Sequence, residues 1–188
     1  DAEFNQYEIE KENMGGLLGV ARGSAEEPRF IVMEYRGAAA TKKPIAFVGK
    51  GLTFDCGGIS IKPSANMEEM KYDMCGAGAV IGAMLAIAKL KIKTNVIAYV
   101  LATENMPGNK AYKPGDIVRP MNGKTIEIAH TDAEGRVTLA DSLSYAVSLK
   151  PELVIDLATL TGACMVALGE EVGGLFTKFD EIKKNWKK

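Results

Sequence analysis

Four runs along the chain are apolar almost without interruption and partly β-branched: FIVMEY at 30–35, IAFV at 45–48, VIAYVL at 96–101 and LVIDL at 153–157. Such runs fit strands covered on both faces, because a strand with one wet face would alternate apolar and polar positions. Between them lie helix-like segments at 76–90 (GAGAVIGAMLAIAKL) and 139–149 (LADSLSYAVSL). Strands alternating with helices predict an α/β fold, a mixed sheet sandwiched between helices. In the first helix Gly76, Ala77, Gly78, Ala79, Gly82 and Ala83 would let it approach the sheet closely. Each glycine inside a helix costs roughly 1 kcal/mol, so tight packing is expected in return. Residues 104–120 read as a long turn-rich connection punctuated by MPG and KPGD, and the first dozen residues as a linker or lead-in helix.

At 188 residues the chain is long enough for one domain with a substantial core and too short for two of ordinary size. A formal net charge of -1 makes no electrostatic case for a nucleic-acid partner. The lysine-dense KKNWKK at 183–188 reads as a solvated helix face or frayed end. Cys56, Cys75 and Cys164 are odd in number and lack CxxC spacing, so neither a disulfide framework nor a cysteine zinc site is suggested and a reduced cytosol fits. The longest charge-free apolar stretch, 77–88, is well short of the about 20 residues a membrane helix needs. The acidic N-terminal segment carries no secretory-signal pattern.

Two glycine-punctuated blocks hold the candidate chemistry: GKGLTFDCGG, with Lys50 and Asp55, and HTDAEGR, with Asp132, Glu134 and Arg136. Lys50 follows the 45–48 run, and open α/β sheets place active groups at the carboxyl ends of strands. Alone, this block reads equally as a glycine-rich turn with a surface ion pair. In HTDAEGR an extended backbone would point both carboxylates to one face, with Arg136 next along it. The second block is then either a simple ion-paired loop or a cation site. Carboxylates and a lysine together can hold hard or borderline divalent metals, and two ions roughly 3.5–4 Å apart can clamp the attacking and leaving oxygens of a hydrolysis. The chain reads first as a metallohydrolase.

The words GKGLTFDCGGISIKPSANMEEMKYDMCGAGA, TENMPGNKAYKPGDIVRPMNGKTIEI, TDAEGR and ATLTGA, in that order, resemble the M17 leucyl aminopeptidase family, the two-zinc cytosolic aminopeptidases. The resemblance runs from about Met14 to Thr177. It implies a zinc-exopeptidase-like α/β fold and release of N-terminal, leucine-like residues from peptides. By position, Lys50, Asp55, Asp73, Asp132 and Glu134 match the family's ligands for two divalent ions, zinc with manganese or magnesium exchange. Asp55 and Glu134 would bridge the pair, Asp132 would serve one ion, and Lys50 with Asp73 the other. A ligating Lys50 must be neutral, which burial beside two dications favours. Lys62 matches the family's catalytic lysine, which stays charged to polarise the scissile carbonyl or steady the oxyanion. Arg136 matches the residue that holds a bicarbonate ion, thought to act as base on metal-bound water. Met70, Thr159 and Gly162 match the pocket for the substrate's N-terminal side chain. From the residues alone, Met70 would be a core methionine and 159–162 a strand-end turn.

Two departures stand out within the motifs. His130 occupies a position that is usually asparagine, and it is expected to make a hydrogen-bonding contact rather than to ligate. Cys56, where small hydroxyl residues are common, reads as a small buried thiol. In extent, family members resemble a two-domain protein whose catalytic domain continues further. Residues 1–188 are therefore expected to be a partial catalytic domain, without the N-terminal domain and truncated at its C-terminal side. The family further implies a cytoplasmic homohexamer acting on peptides, with no membrane partner. Competing expectations are a metal-binding piece without turnover and the DNA-binding regulatory role of some bacterial members.

Overall fold

In the computed structural model, which describes residues 2–186, the chain opens with β1 (Ala2–Phe4), α1 (Gln6–Lys11) and α2 (Gly15–Ala21). It continues through β2 (Arg29–Arg36), β3 (Ile45–Asp55) and a 3-10 turn, Met67–Tyr72, into α3 (Cys75–Leu90) and β4 (Asn95–Asn105). A two-stranded ribbon, β5 (Ile117–Val118) with β6 (Ile126–Glu127), precedes a 3-10 turn at Thr131–Ala133, α4 (Glu134–Ser148) and β7 (Leu153–Leu157). Short helices α5 (Ala163–Leu168) and α6 (Asp180–Trp186) follow. Lys183 and Lys184 are exposed on α6, and Lys187 and Lys188 of the lysine-dense segment lie outside the described residues.

The main sheet has the order β1-β2-β4-β3-β7. β3 is parallel to β4 and β7, whereas β2 runs antiparallel to β4 and β1 antiparallel to β2, so the sheet is mixed as the apolar runs led one to expect of an α/β sandwich. Side chains alternate between its faces. Ala46, Val48, Tyr99 and Leu101 pack with Ile9, Met14, Leu17, Leu139 and Ala146 under α1, α2 and α4. On the opposite face Phe47, Val96, Ala98 and Val100 pack with Ala77, Val80 and Met84 of α3. Phe30, Tyr99 and Tyr145 meet ring to ring, with Phe30 and Tyr99 stacked at 5.9 Å.

Several boundaries differ from those read in the sequence. The 45–48 run is only the start of β3, and Lys50 lies inside the strand rather than after it. The reason is close packing: a Cβ at Gly49 would lie 2.8 Å from the Ala77 Cα of α3, so the glycine admits the helix rather than turning the chain. β4 likewise runs on to Asn105, taking two residues from the supposed connection, and Ile117–Val118 within that connection pairs into the ribbon. The lead-in is a strand and a helix whose N-terminus is closed by a reciprocal Asn5–Glu8 capping box.

The small residues of α3 divide. A Cβ at Gly76 would strike the Leu157 backbone, whereas Gly82 faces open space, and Ile81 and Leu85 are exposed. Only one face of α3 is covered. With the preceding turn it is long and apolar enough to cross a membrane, but Val80 and Met84 belong to the core beneath the sheet.

Candidate metal centre

The site assembles at the carboxyl end of β3. Asp55 closes that strand, Asp73 caps the 3-10 turn leading into α3, and Asp132 lies in the 3-10 turn before α4, whose first residue is Glu134. This corrects the extended reading of HTDAEGR: the segment is helical, so the i, i+2 argument does not apply. The carboxylates nevertheless converge, because a 3-10 turn running directly into an α-helix folds both back over the end of β3. Ligand oxygens of Asp55, Asp132 and Glu134 lie within 4.8 Å of one another. The acidic residue in the first turn of α4 also meets the helix's positive end.

Two lysines answer these carboxylates. Lys50 Nζ is 2.6 Å from Asp73 Oδ2, 2.9 Å from Glu134 Oε1, and donates to the Thr159 carbonyl at 2.9 Å. Gly135 makes room for it, since a Cβ there would lie 2.8 Å from Lys50 Cε. Lys62 Nζ is 2.9 Å from Asp55 Oδ2 and also pairs with Asp132. All five expected ligand residues and Lys62 thus form one cluster.

Lys50, Asp55 and Glu134 are no more than 3 % exposed. Burial pushes the Asp73 and Glu134 carboxyls above their ordinary range, against the opposing pull of Lys50. Burial would lower the Lys62 ammonium, but its bonds to Asp132 and Asp55 outweigh that and raise it. Glu134 Oε2 is buried with no hydrogen-bond partner among the described residues. A buried, unpartnered carboxylate oxygen is costly unless a cation answers it. The donor set, oxygen-rich with one amine, suits a divalent cation.

The remaining expected residues are placed less centrally. Arg136, in the first turn of α4, is exposed and makes no side-chain hydrogen bond or ion pair among the described residues. Met70 is half-buried in the 3-10 turn, and Gly162 is exposed before α5 with open space around its Cα. Thr159 sits closer in: its hydroxyl donates to Asp73 Oδ1 at 2.8 Å. His130 is exposed, and its Nδ1 accepts the Asp132 N–H at 3.3 Å, capping the turn. The Cys56 thiol is buried, donates to the Asn105 carbonyl, and burial pushes its pKa up.

Sequence reasoning passed over three buried polar residues against the cluster: Asn105, Tyr112 and Thr131. Burial, reinforced by the charges of Glu134, Asp55 and Asp132, raises the Tyr112 phenol. The one signal for Asn105 was its place just past an apolar run, where strands of such sheets present functional groups.

Known proteins resemble this chain in sequence and fold. The sequence model of the cytosol aminopeptidase family, catalytic domain, matches residues 2–188. A probable cytosol aminopeptidase of Bdellovibrio bacteriovorus is 61% identical over 180 residues, 96% of this chain and 36% of that protein. Another, from Syntrophotalea carbinolica, is 56% identical over 182 residues, 97% of this chain and 37% of its own length. Among solved structures, the bottromycin maturation enzyme BotP aligns with a TM-score of 0.89 at 42% identity, over 97% of this chain and 39% of BotP. BotP has also been solved in complex with Mn. A leucyl aminopeptidase from Leishmania major in complex with actinonin gives a TM-score of 0.91 at 34% identity, covering 98% of this chain and 37% of its own. The chain therefore spans little more than a third of the length of these relatives. With the family match running from residue 2 to 188 over an α/β sheet of the same build, this chain belongs to the cytosol aminopeptidase family and lies within its catalytic domain.

Proposed function

We propose that this chain carries the two-metal centre of an aminopeptidase that releases N-terminal, leucine-like residues from peptides. The observation that carries the reading is the convergence of ligand oxygens of Asp55, Asp132 and Glu134 within 4.8 Å, together with a buried Glu134 oxygen that has no hydrogen-bond partner among the described residues. Asp55 and Glu134 would be shared by two divalent ions, zinc, manganese or magnesium, with Asp132 on one side and Lys50 and Asp73 on the other. When bound, such ions supply Lewis-acid polarisation and an activated water. Lys50 would then act as a neutral amine, a form that two adjacent dications favour.

The chain's own residues have separable tasks. Lys62 keeps its proton and presents a fixed positive charge where negative charge develops on the scissile carbonyl oxygen. Arg136, exposed at the start of α4, is free to hold a bicarbonate ion at the rim. Thr159, fastened to Asp73, and Gly162, with open space beside it, would line the pocket for the substrate's N-terminal side chain together with Met70. An apolar pocket discriminates by about 1–3 kcal/mol per methylene, so leucine-like residues would be preferred rather than required. The reading extends to a cytoplasmic location, in line with relatives named as cytosol aminopeptidases, and to a homohexamer for a chain of those relatives' length.

Metal content by mass spectrometry, with hydrolysis of leucine amide after loading with zinc or manganese, tests the reading. Two equivalents and turnover are expected of a complete catalytic unit. Uptake without turnover would assign this chain a binding role alone, and no uptake would sink the metal centre. Lys62→Ala should reduce turnover far more than metal content, because its contact strengthens only as the oxyanion forms. Equal loss of both would make Lys62 structural.

A further inference from the structure

We propose that Asn105 is a positioning residue for Asp55, and that through Thr131 it fixes the register between the two loops that carry the candidate ligands. This rests on the metallopeptidase reading above. Asn105 ends β4 directly opposite Asp55 in the β3–β4 register, just beyond the irregularity at Leu52/Phe54. It is fully buried. Its side-chain amide donates to Asp55 Oδ1 at 2.8 Å and to the Thr131 carbonyl at 3.0 Å, which uses both amide hydrogens. Reversing the amide would set its oxygen against two acceptors, so the orientation follows from the neighbours.

Asp55 Oδ1 also accepts the Gly57 N–H at 2.9 Å. Two donors on one oxygen fix the plane of the carboxylate and leave Oδ2 as the oxygen turned to Lys62. Asn105 thereby determines which Asp55 oxygen is offered to a cation.

The second bond reaches the other loop. The Thr131 carbonyl takes a further hydrogen bond from Tyr112 at 2.9 Å. Its hydroxyl donates to the Gly57 carbonyl at 2.6 Å and accepts from Ser60 N at 2.8 Å, while Thr131 N donates to Ser60 Oγ at 3.1 Å. Segments 55–60 and 131–134 are thus bolted together by neutral groups. Neutrality matters: an aspartate at 105 would repel Asp55, and a leucine would fill the space but donate nothing. The Asn105 oxygen is itself buried, has no hydrogen-bond partner among the described residues, and lies toward Gly58, where a Cβ would come within 2.7 Å of it.

Cobalt titration of the metal-stripped 188-residue chain, followed by visible absorption, tests this. Removing an outer partner of a ligand commonly weakens metal affinity about 10–100-fold. Asn105→Ala and Thr131→Val should each weaken Co²⁺ binding in that range and alter the d–d band shape at saturation, whereas Thr131→Ser, which keeps the hydroxyl, should restore both. A merely structural role would lower thermal stability and leave the saturated spectrum unchanged. An Asn105→Ala chain that is folded, binds within about threefold of wild type and shows the wild-type spectrum overturns the proposal alone. Failure of the wild-type chain to take up Co²⁺ overturns it together with the metallopeptidase reading.

Should Asn105→Ala not fold, the wild-type Asn105 side-chain amide decides by NMR. Slow exchange with solvent and a shift on Zn²⁺ loading are expected. An amide that exchanges as fast as an exposed asparagine and does not move with Zn²⁺ would overturn the proposal.

Discussion

Asp141 lies on α4 seven residues beyond Glu134 and is fully buried. Its Oδ2 accepts the Leu17 N–H at the start of α2, and its Oδ1 accepts the Met121 N–H, each at 2.8 Å. The carboxylate thus ties α4 to α2 and to the 120s loop. Burial nevertheless dominates, raising its pKa from 3.8 to about 6 despite bonds from Leu17, Met121 and Gly16. In the folded chain the carboxyl therefore holds its proton to higher pH than in the unfolded chain. Its contribution to stability is fully present below pH 3.8 and is lost as pH rises through about 6. At 1.36 kcal/mol per pH unit the difference is about 3 kcal/mol. Asp141→Asn keeps an acceptor and removes the titration. Because the unfolded carboxyl is already partly ionised at pH 4, urea denaturation of both proteins at pH 4 and pH 7 should show the wild type losing about 2–2.5 kcal/mol relative to the variant between those conditions. Comparing the pair cancels every other titrating group. If their stability gap is the same at both pH values, the carboxylate is ionised throughout, and the three N–H donors outweigh burial.

The lysines, the histidine and the cysteines offer further checks. Lys50→Met should cost the metal-free chain about 3–5 kcal/mol, because it leaves Asp73 and Glu134 buried without their cation; a change below about 1 kcal/mol by urea denaturation would show that the amine is not the compensating charge. His130→Asn should leave metal stoichiometry unchanged, since an asparagine can also accept the Asp132 N–H. Loss of one metal equivalent would make His130 a ligand. In the native chain a thiol reagent should modify exposed Cys75 quickly and Cys56 only on unfolding. Rapid modification of Cys56 would contradict its burial.

What the sequence disclosed tracks how local each signal is. The strands at 30–35, 96–101 and 153–157 announced themselves because each is its own apolar run, and their alternation with helices implied the layered sheet. β3 was cut short because glycine and lysine interrupt it, and only the approach of α3 to Gly49 and of the Leu101 backbone to Gly51 explains those glycines. HTDAEGR was taken as extended because its charged residues hide the start of a helix whose apolar side becomes visible only near Leu139. The same residues still met, since their chemistry was specific even where their backbone was misread. Thr131 carries no local signal, and Asn105 only its place just past an apolar run. Their partners at Asp55 and Gly57 lie far away in sequence, and the pairing exists only once two parallel strands are in register.

The route by which the chain reaches this arrangement follows from the parallel pairing of β3. Its neighbours β4 and β7 come from much later in the chain, so the strand cannot be completed by any adjacent hairpin. Loop-closure entropy must be overcome before those pairings give anything back, which makes such topologies slow to fold. Lys50 and Glu134 stand on opposite sides of that search, so no short segment of the nascent chain holds enough ligands to grip an ion and nucleate structure. A divalent ion would arrive after the transition state has passed. Its binding energy would then appear as a slower unfolding rate, with the refolding rate nearly untouched.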